Sequence, residues 1–362
     1  MGPHCDPWDP ERSRRSGKHI LTSVEVTVTN RCNMRCRHCA VGETLTLAEP
    51  DRVPLSVLFD RLDEVSTLQT LSITGGEPSE SLTTLTGYVL PILQYARNRG
   101  LLTQVNTNLT YDLGRYRLIA PFVDVLHISW NYTGPADFHR IAWARGRGHV
   151  PPAVSVKLYE RILSNATALA QDGVFVSAES MVNAETAPHL GHLNRMIRAM
   201  GCRRHEVHPM YPSDWAADLP ILGKAEFRSA VHQFLDERDP ELWTLFGTFP
   251  FVPCTADPED LAMVERVRQA PNTSVRNCPD GRNRVNINAF TGDVFVTDFA
   301  EIPALGNIRT GSIEAAFDIW QRHTAFAPYN CYCPHARCTG PNLLVARMYH
   351  PGVDFRERQA VV

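Results

Sequence analysis

The chain has 362 residues and a formal net charge of −3 at pH 7, with 43% hydrophobic and 21% charged residues. This length can bury one large core with a smaller domain beside it, and the ordinary composition predicts a globular protein. No Lys/Arg block indicates a nucleic-acid partner, no apolar run approaches the ~18 residues of a membrane span, and the polar N-terminus differs from a signal peptide.

The predicted elements alternate between strand and helix after an N-terminal tail at residues 1–22, which is typical of a parallel α/β sheet. Strands are predicted at Ser23–Thr29, Thr70–Thr74, Thr103–Thr107, Val123–Ser129, Val174–Val182 and Arg204–Met210. Helices are predicted at Leu55–Val65, Leu85–Arg99, Leu113–Phe122, Val154–Gln171 and Ala187–Met200. Gly100, Gly173 and Gly201 each follow a helix, where a left-handed cap is expected.

Beyond the sixth strand, residues 213–275 are predicted to be a mainly helical linker, with helices at Lys224–Glu237 and Pro258–Gln269. Residues 276–345 then form a candidate small domain, and residues 346–362 a C-terminal tail. Within the small domain a β-hairpin is predicted around Gly292, between strands at Arg284–Asn288 and Val294–Asp298. The run Leu305-Gly306-Asn307-Ile308 and a helix near Ser312–Arg322 follow.

Ten cysteines in a chain without a secretion signal are expected to bind metal in the cytoplasm rather than to form disulfides. Three of them, Cys32, Cys36 and Cys39, follow the first strand with the spacing C-x3-C-x2-C, and no fourth ligand lies nearby. Three thiolates can hold a cubane [4Fe–4S] cluster and leave one iron open for chemistry. A structural zinc site is the alternative, but it needs four ligands, and His38 would have to fold back sharply to supply one.

A turn of sequence Gly75-Gly76-Glu77-Pro78 follows the second predicted strand. Together with the cysteine triad it resembles the signature of the radical S-adenosylmethionine (radical SAM) superfamily. The resemblance implies an open (β/α)6 partial barrel over residues 23–212, with both motifs at carboxyl ends of strands, where α/β folds bind ligands. It also implies that the open iron chelates the amino and carboxylate groups of SAM. The GGEP backbone would receive the methionine amino group, and His38 counts among the cofactor-binding residues.

Three further strand ends match the superfamily's SAM contacts in part. Asn106-Thr107-Asn108 resembles its TNG turn, with Leu109 in place of Gly. Ser129-Trp130-Asn131 resembles its S-x-D element, although Asn131 lacks the charge of the usual Asp. Met210 stands where a residue of the sixth strand often packs on the adenine. Local capping of strand or helix ends is the alternative role for such residues.

Alternation along the strands adds candidate substrate contacts. If Met210 points into the barrel, Glu206 and His208 share its face, and Glu179 shares a face with Ser177. The alternative for each of these side chains is a satisfied polar group of the core.

A second group of cysteines occupies the C-terminal part of the chain: Cys278, Cys331, Cys333 and Cys338. With the hairpin and helix they resemble the SPASM and twitch domains that carry auxiliary clusters, and the ending C-x-C-x4-C is typical of a small radical SAM subfamily. Thr297 stands where SPASM proteins have a second cysteine. The number of cysteines in this part of the chain favours one auxiliary [4Fe–4S] cluster held by these four thiolates, with a zinc ribbon as the alternative. Cys254 is the alternative to Cys278 as the fourth ligand.

The resemblance implies a radical enzyme. An electron donor such as flavodoxin or ferredoxin reduces the triad's cluster, and SAM breaks to methionine and a 5′-deoxyadenosyl radical that abstracts hydrogen from a substrate in the barrel mouth. A fully ligated auxiliary cluster would suit substrate oxidation. The N-terminal segment is too short for a peptide-recognition domain, which favours a small-molecule substrate. Crosslinking or dehydrogenation of a ribosomally made peptide is the first alternative, and a non-catalytic iron–sulfur or zinc redox sensor or binding protein is the second.

Overall fold

The computed structural model describes residues 4–16, 18–145, 150–276, 280–297, 302–324, 327–329, 331–333, 338 and 340–358. These residues contain an eleven-stranded sheet in the order β11-β10-β9-β1-β2-β3-β4-β5-β6-β7-β8. The strands are β1 Ser23–Thr27, β2 Thr70–Thr74, β3 Leu102–Thr107, β4 Val125–Ser129, β5 Val176–Val182, β6 Arg204–Pro209, β7 Trp243–Gly247, β8 Thr273–Arg276, β9 Arg284–Asn288, β10 Asp293–Phe295 and β11 Gly306–Asn307. All pairs from β9 through β1 to β8 are parallel, and β10 and β11 are antiparallel.

Helices connect the strands and cover the sheet. They are α1 Glu11–Ser16, α2 Leu55–Glu64, α3 Leu82–Thr84, α4 Leu90–Asn98, α5 Leu113–Ile119, α6 Pro135–Ala142, α7 Pro152–Gln171, α8 Leu190–Ala199, α9 Lys224–Glu237, α10 Pro258–Gln269, α11 Ile313–Arg322 and α12 Leu343–Tyr349, and a π-helical segment at Leu85–Val89 joins α3 to α4. No helix within the described residues has the length and apolar character to cross a membrane.

The predicted α/β architecture with a parallel sheet is confirmed. The six predicted strands appear as β1 to β6, with ends displaced by at most two residues. Every residue of β1 and β6 is buried, as expected for parallel strands that are covered on both faces. The glycines that follow α4, α7 and α8 have the predicted positive φ, at 68° for Gly100, 87° for Gly173 and 82° for Gly201.

The segment predicted as a helical linker also contributes to the sheet. Both of its predicted helices are present as α9 and α10, but the prediction missed two strands, β7 and β8, which extend the parallel sheet beyond β6. Both strands are short, and periodicity cannot distinguish a short apolar run from a piece of buried helix. The predicted hairpin forms between β9 and β10, and β9 also pairs with β1, so the hairpin belongs to the same sheet.

The N-terminal segment predicted as a tail is partly folded into the barrel floor. Cys5 and Trp8 are buried, and Arg204 donates to the Cys5 carbonyl at 3.2 Å. The Trp8 ring lies 5.1 Å from the guanidinium of Arg276 on β8 and 4.3 Å from that of Arg284 on β9. One side chain therefore contacts both ends of the nine-stranded parallel part of the sheet. At the other terminus, α12 begins before the predicted C-terminal tail and continues into it.

Candidate active site

Most of the residues predicted to bind cofactor or substrate line one cavity at the carboxyl ends of the strands. They are Cys32, Cys36, His38, Cys39, Gly75, Gly76, Thr107, Asn108, Ser129, Glu179, Glu206 and His208. Glu77, Asn131 and Met210 are buried close by without lining this cavity. The structure thus brings together the two sequence motifs and the polar residues of β4, β5 and β6.

The glycine pair allows the turn after β2 to touch the start of the cysteine loop. The amide of Gly76 donates to the Thr29 carbonyl at 2.7 Å, and that of Glu77 donates to the Arg31 carbonyl at 2.8 Å. A Cβ on Gly75 would lie 2.3 Å from the Thr29 oxygen, and one on Gly76 would lie 2.3 Å from the Arg31 oxygen. Gly75 also has a φ of 139°, which L side chains rarely adopt. Any larger residue would push the two loops apart.

The Glu77 side chain fixes the loop after β3 rather than reaching into the cavity. Its carboxylate accepts from the Asn108 amide at 2.6 Å, from the Thr107 hydroxyl at 2.8 Å and from the Ser79 amide at 3.0 Å. Burial raises the pKa of Glu77, while these hydrogen bonds oppose the shift. Asn108 in turn donates to the sulfur of Cys32 at 3.7 Å, so Glu77 links the GGEP turn to the first thiol.

Helix α6, which the sequence analysis did not predict, holds the cysteine loop from the other side. The amides of Arg35 and Arg37 donate to the carbonyls of Ala142 and Ile141, at 2.9 and 3.0 Å. These carbonyls belong to the last turn of α6, where helical partners are lacking. The Pro in the first turn of α6 and its buried Phe138 were available sequence signals. The loop is therefore positioned by helix-end carbonyls as well as by the glycine turn.

The three thiols of this loop fit an iron–sulfur cluster. Burial raises the pKa of Cys32 to about 12 and also raises those of Cys36 and Cys39, so a bound metal cation would be needed to keep them as thiolates. No three His, Cys, Asp or Glu side chains in the described part of the chain are arranged to hold one metal ion. Four-coordinate zinc would bring its sulfurs within about 3.8 Å of one another. A cluster that contains its own sulfides does not need thiols so close together.

Two predicted SAM contacts have other neighbours than expected. Asn131 accepts from the Met181 amide at 2.8 Å and faces the His38 ring at 3.5 Å. It therefore supports two residues that line the cavity without lining it itself. Met210 packs with Met181 and Leu219 in an apolar cluster, and of the two methionines Met181 lines the cavity. The strand β6 ends at Pro209, so alternation no longer governs the direction of Met210.

Polar groups on β4, β5 and β6 form a partly buried network in the cavity wall. Glu179 accepts from Ser129 at 2.9 Å and faces His127 at 3.1 Å and His208 at 3.5 Å. Burial alone would raise the pKa of Glu179, but hydrogen bonds and charge from the two imidazoles hold it well below its usual value. Burial opposes protonation of His208, yet its contact with Glu179 raises its pKa. His127 was missed, although it alternates with Ser129 along β4 and the same rule could have identified it.

The floor of the cavity contains basic residues that the motifs did not indicate. Arg276 pairs with Glu206 and with Asp6 of the N-terminal segment. Arg284 faces Glu25 at 3.4 Å. Each of these three carboxylates therefore meets a guanidinium.

The C-terminal cysteines line a second, smaller cavity. Cys331, Cys333 and Cys338 lie around it together with Cys254, which precedes α10. Cys278 lies outside the described residues, so its predicted role as a ligand stays a prediction. The structure thus brings together three of the four predicted auxiliary ligands and adds a fourth cysteine.

Comparisons with known proteins cover the whole chain. A family model described as a YfkB-like domain matches residues 210–360. Protein YfkA of Bacillus subtilis (strain 168) is 46% identical over 360 residues, which are 99% of this chain and 96% of the relative. An AdoMet-dependent heme synthase of Oleidesulfovibrio alaskensis is 23% identical over 244 residues, which are 66% of this chain and 58% of that enzyme.

Among solved structures, the fold is similar to that of native anSMEcpe with bound AdoMet and Cp18Cys peptide. The TM-score is 0.57 at 13% sequence identity, and the match covers 90% of this chain and 93% of that chain. At this identity the likeness shows a shared fold.

Proposed function

Because this chain belongs to the family of Bacillus subtilis YfkA, within the radical SAM superfamily, we propose that it binds SAM beside a [4Fe–4S] cluster held by Cys32, Cys36 and Cys39. We further propose that it abstracts hydrogen from a small molecule in the same cavity. Oxidation of that substrate is assisted by an auxiliary [4Fe–4S] cluster. The observation that carries this proposal is the meeting of three half-buried thiols, a glycine turn and a polar network in one cavity.

The bound cluster and SAM would supply a 5′-deoxyadenosyl radical, and the chain's own residues would bind, orient and exclude water. The amides of Gly76 and Glu77 are already engaged by the cysteine loop, so the GGEP turn would receive an amino group through its carbonyl oxygens. His38 is neutral at pH 7 because burial lowers its pKa to about 4. It therefore adds no charge beside the cluster.

The polar network in the cavity wall supports a small polar substrate. Nε2 of His208 lies 3.5 Å from Oε2 of Glu179, and the Ser129 hydroxyl donates to the other carboxylate oxygen. A substrate hydroxyl or amine could form hydrogen bonds with Glu179 and His208 without changing the net charge of the pair. Trp8 and the ion pairs of Arg276 and Arg284 close the floor, which limits the depth that a ligand can reach.

A peptide substrate is the second candidate. It is favoured by the fold shared with anSMEcpe, whose solved structure contains the Cp18Cys peptide. The small-molecule and peptide substrates are distinguished by supplying the reconstituted enzyme with deuterated cell extract. The extract is first divided into a low-mass fraction and a peptide fraction. Deuterium in 5′-deoxyadenosine from the low-mass fraction supports the small molecule, and deuterium from the peptide fraction alone supports the peptide.

Anaerobic reconstitution tests the whole proposal. We expect about eight irons per chain, SAM binding in an equilibrium titration, and 5′-deoxyadenosine after reduction with dithionite. A reconstituted protein with no affinity for SAM would instead favour the non-catalytic redox sensor. Failure to bind SAM and failure to cleave it are measured separately, so binding and chemistry can be told apart.

A further inference from the structure

The three terminal cysteines present their thiols on one face of the backbone. Cys333 and Cys338 lie directly opposite each other in an antiparallel bridge, in which their amides and carbonyls exchange hydrogen bonds of 2.9 and 3.1 Å. Side chains of such a pair point to the same face, with Cα atoms about 5.5 Å apart. Cys331 precedes Cys333 by two residues and lines the same cavity as Cys333 and Cys338. The spacing C-x-C-x4-C is thus a backbone arrangement that aims three sulfurs at one place.

A fourth cysteine reaches this place from the barrel. Cys254 follows β7 and lines the same cavity as the three terminal thiols, with Pro253 before it. Cys254 and Cys331 both pack against an apolar cluster formed by Val252, Ala346 and Phe355. All four sulfurs therefore belong to one group.

The surroundings of this group suit a negatively charged cluster. Arg282 is buried and donates to the carbonyls of Tyr329 and Pro341, which lie on either side of the terminal cysteines. Arg358 lines the same cavity as the four cysteines. A cubane cluster with four thiolates carries net negative charge, which two guanidinium groups can offset.

The backbone between the cysteines is also tightly fitted. Gly340 has a φ of +85°, and a Cβ there would lie 2.8 Å from the Tyr329 oxygen and 3.0 Å from the Cys331 sulfur. The segment therefore comes close to the thiols at a residue without a side chain. Such a fit is expected where several loops converge on one bound group.

We infer that Cys254, rather than Cys278, is the fourth thiolate of the auxiliary site, together with Cys331, Cys333 and Cys338. This inference rests on the proposed function, because it assumes that the auxiliary cluster exists. The cluster then joins the loop after β7 to the C-terminal segment, and so ties the end of the chain to the barrel. Its fourth ligand comes from the part of the chain that the sequence suggested was a linker.

The test uses the full-length chain with the triad removed, as the variant Cys32→Ala/Cys36→Ala/Cys39→Ala. After anaerobic reconstitution this variant should hold about four irons and four sulfides, all of them in the auxiliary cluster. Adding Cys254→Ala should reduce the iron to near zero, whereas adding Cys278→Ala should leave it unchanged. Cys5→Ala and Cys202→Ala are matched controls at buried cysteines elsewhere.

Iron lost with Cys278→Ala and retained with Cys254→Ala would overturn the inference and leave the auxiliary cluster standing. A triad-free variant that binds no metal at all would overturn both. One zinc that is lost with Cys254→Ala would support this ligand set and contradict the iron cluster of the proposed function.

Misfolding is separated from ligand loss by Cys254→Ser, which can keep the cluster with an oxygen ligand. We expect a changed electron paramagnetic resonance spectrum of the reduced auxiliary cluster in Cys254→Ser and an unchanged one in Cys278→Ser. The opposite pattern would contradict the inference.

Discussion

The two cysteine groups of this chain differ in how their ligands are supplied. The triad comes from one loop, and its position depends on backbone contacts to the GGEP turn and to α6. The C-terminal group is assembled from Cys254 and a distant segment, and Arg282 and Arg358 stand beside it. One loop can leave a corner of a cluster open for a ligand, whereas two segments with four thiols close it. The proposed function accordingly assigns chemistry to the first site and electron storage to the second.

The largest effect is expected when the GGEP turn is pushed away from the loop that carries the cysteine triad. In Gly76→Ala the new Cβ would meet the Arg31 oxygen, so we expect a loss of about 3 kcal/mol in unfolding free energy and loss of the triad's iron. The auxiliary iron, about four per chain, should remain. The measurement is iron content together with thermal unfolding.

Gly87→Ala is the matched control, because nothing lies within 4 Å of a Cβ at that helical position. It should keep all the iron and unfold at the same or a slightly higher temperature. Equal iron loss in both variants would contradict the role given to the glycine turn.

A smaller effect is expected when Glu77 is altered, because its side chain links the GGEP turn through Asn108 to the Cys32 thiol. In Glu77→Gln the side-chain NH2 group must face either the Asn108 amide or the Thr107 and Ser79 donors, since an amide has one acceptor oxygen. We expect about 2 kcal/mol of destabilisation and weaker SAM binding. Urea unfolding and an equilibrium SAM titration measure both.

Glu80→Gln provides the comparison, because Glu80 pairs at 2.9 Å with Arg31, whose side chain is 39% exposed. Its loss should cost less than about 1 kcal/mol. If Glu80→Gln weakened SAM binding as much as Glu77→Gln, the bridge would not be specific to Glu77.

The network of Glu179 and His208 in the first cavity predicts that the stability of the protein depends on pH. The lowered pKa of Glu179 gives stability above its unfolded pKa, which is lost as pH falls through the folded value. The raised pKa of His208 gives stability below its unfolded pKa, which is lost as pH rises through the folded value. The pair therefore contributes most between about pH 4.3 and 6.5.

His208→Asn should flatten the stability profile in this range, measured as unfolding temperature against pH. His189→Asn, at an exposed histidine, should leave the profile as in the unaltered chain. A profile that His208→Asn does not change would show that the pair makes no such contribution.

The smallest predicted effect lies at the second site. In Arg358→Gln the removed positive charge should lower the midpoint potential of the auxiliary cluster, because the reduced cluster carries more negative charge. Arg358 is partly exposed, so salt should weaken the shift. Spectroelectrochemistry at two salt concentrations measures it, and an equal shift of the triad's cluster would contradict the separation of the two sites.

Local motifs were predictable from sequence, while residues assembled over long distances were not. The triad and Gly75-Gly76 are short signals whose chemistry depends on neighbours in the chain, and the structure places them in one cavity. Trp8 has no motif, because its place in the floor depends on β8 and β9, more than 260 residues away.

The direction of side chains could be predicted only within regular strands. Alternation placed Glu206 and His208 on the cavity wall, but it failed for Met210, which follows the end of β6. Asn131 was identified by its motif, yet it binds the Met181 amide instead of lining the cavity. Strand geometry fixes direction over a few residues, and tertiary packing decides it beyond the strand end.

The most direct test of the account compares the reconstituted chain with Cys32→Ala/Cys36→Ala/Cys39→Ala under reducing conditions with SAM. We expect 5′-deoxyadenosine from the first protein, with about eight irons bound, and none from the second, with about four. Cleavage of SAM by the triad-free variant, or a single saturated metal ion held by the three cysteines in the unaltered chain, would contradict it.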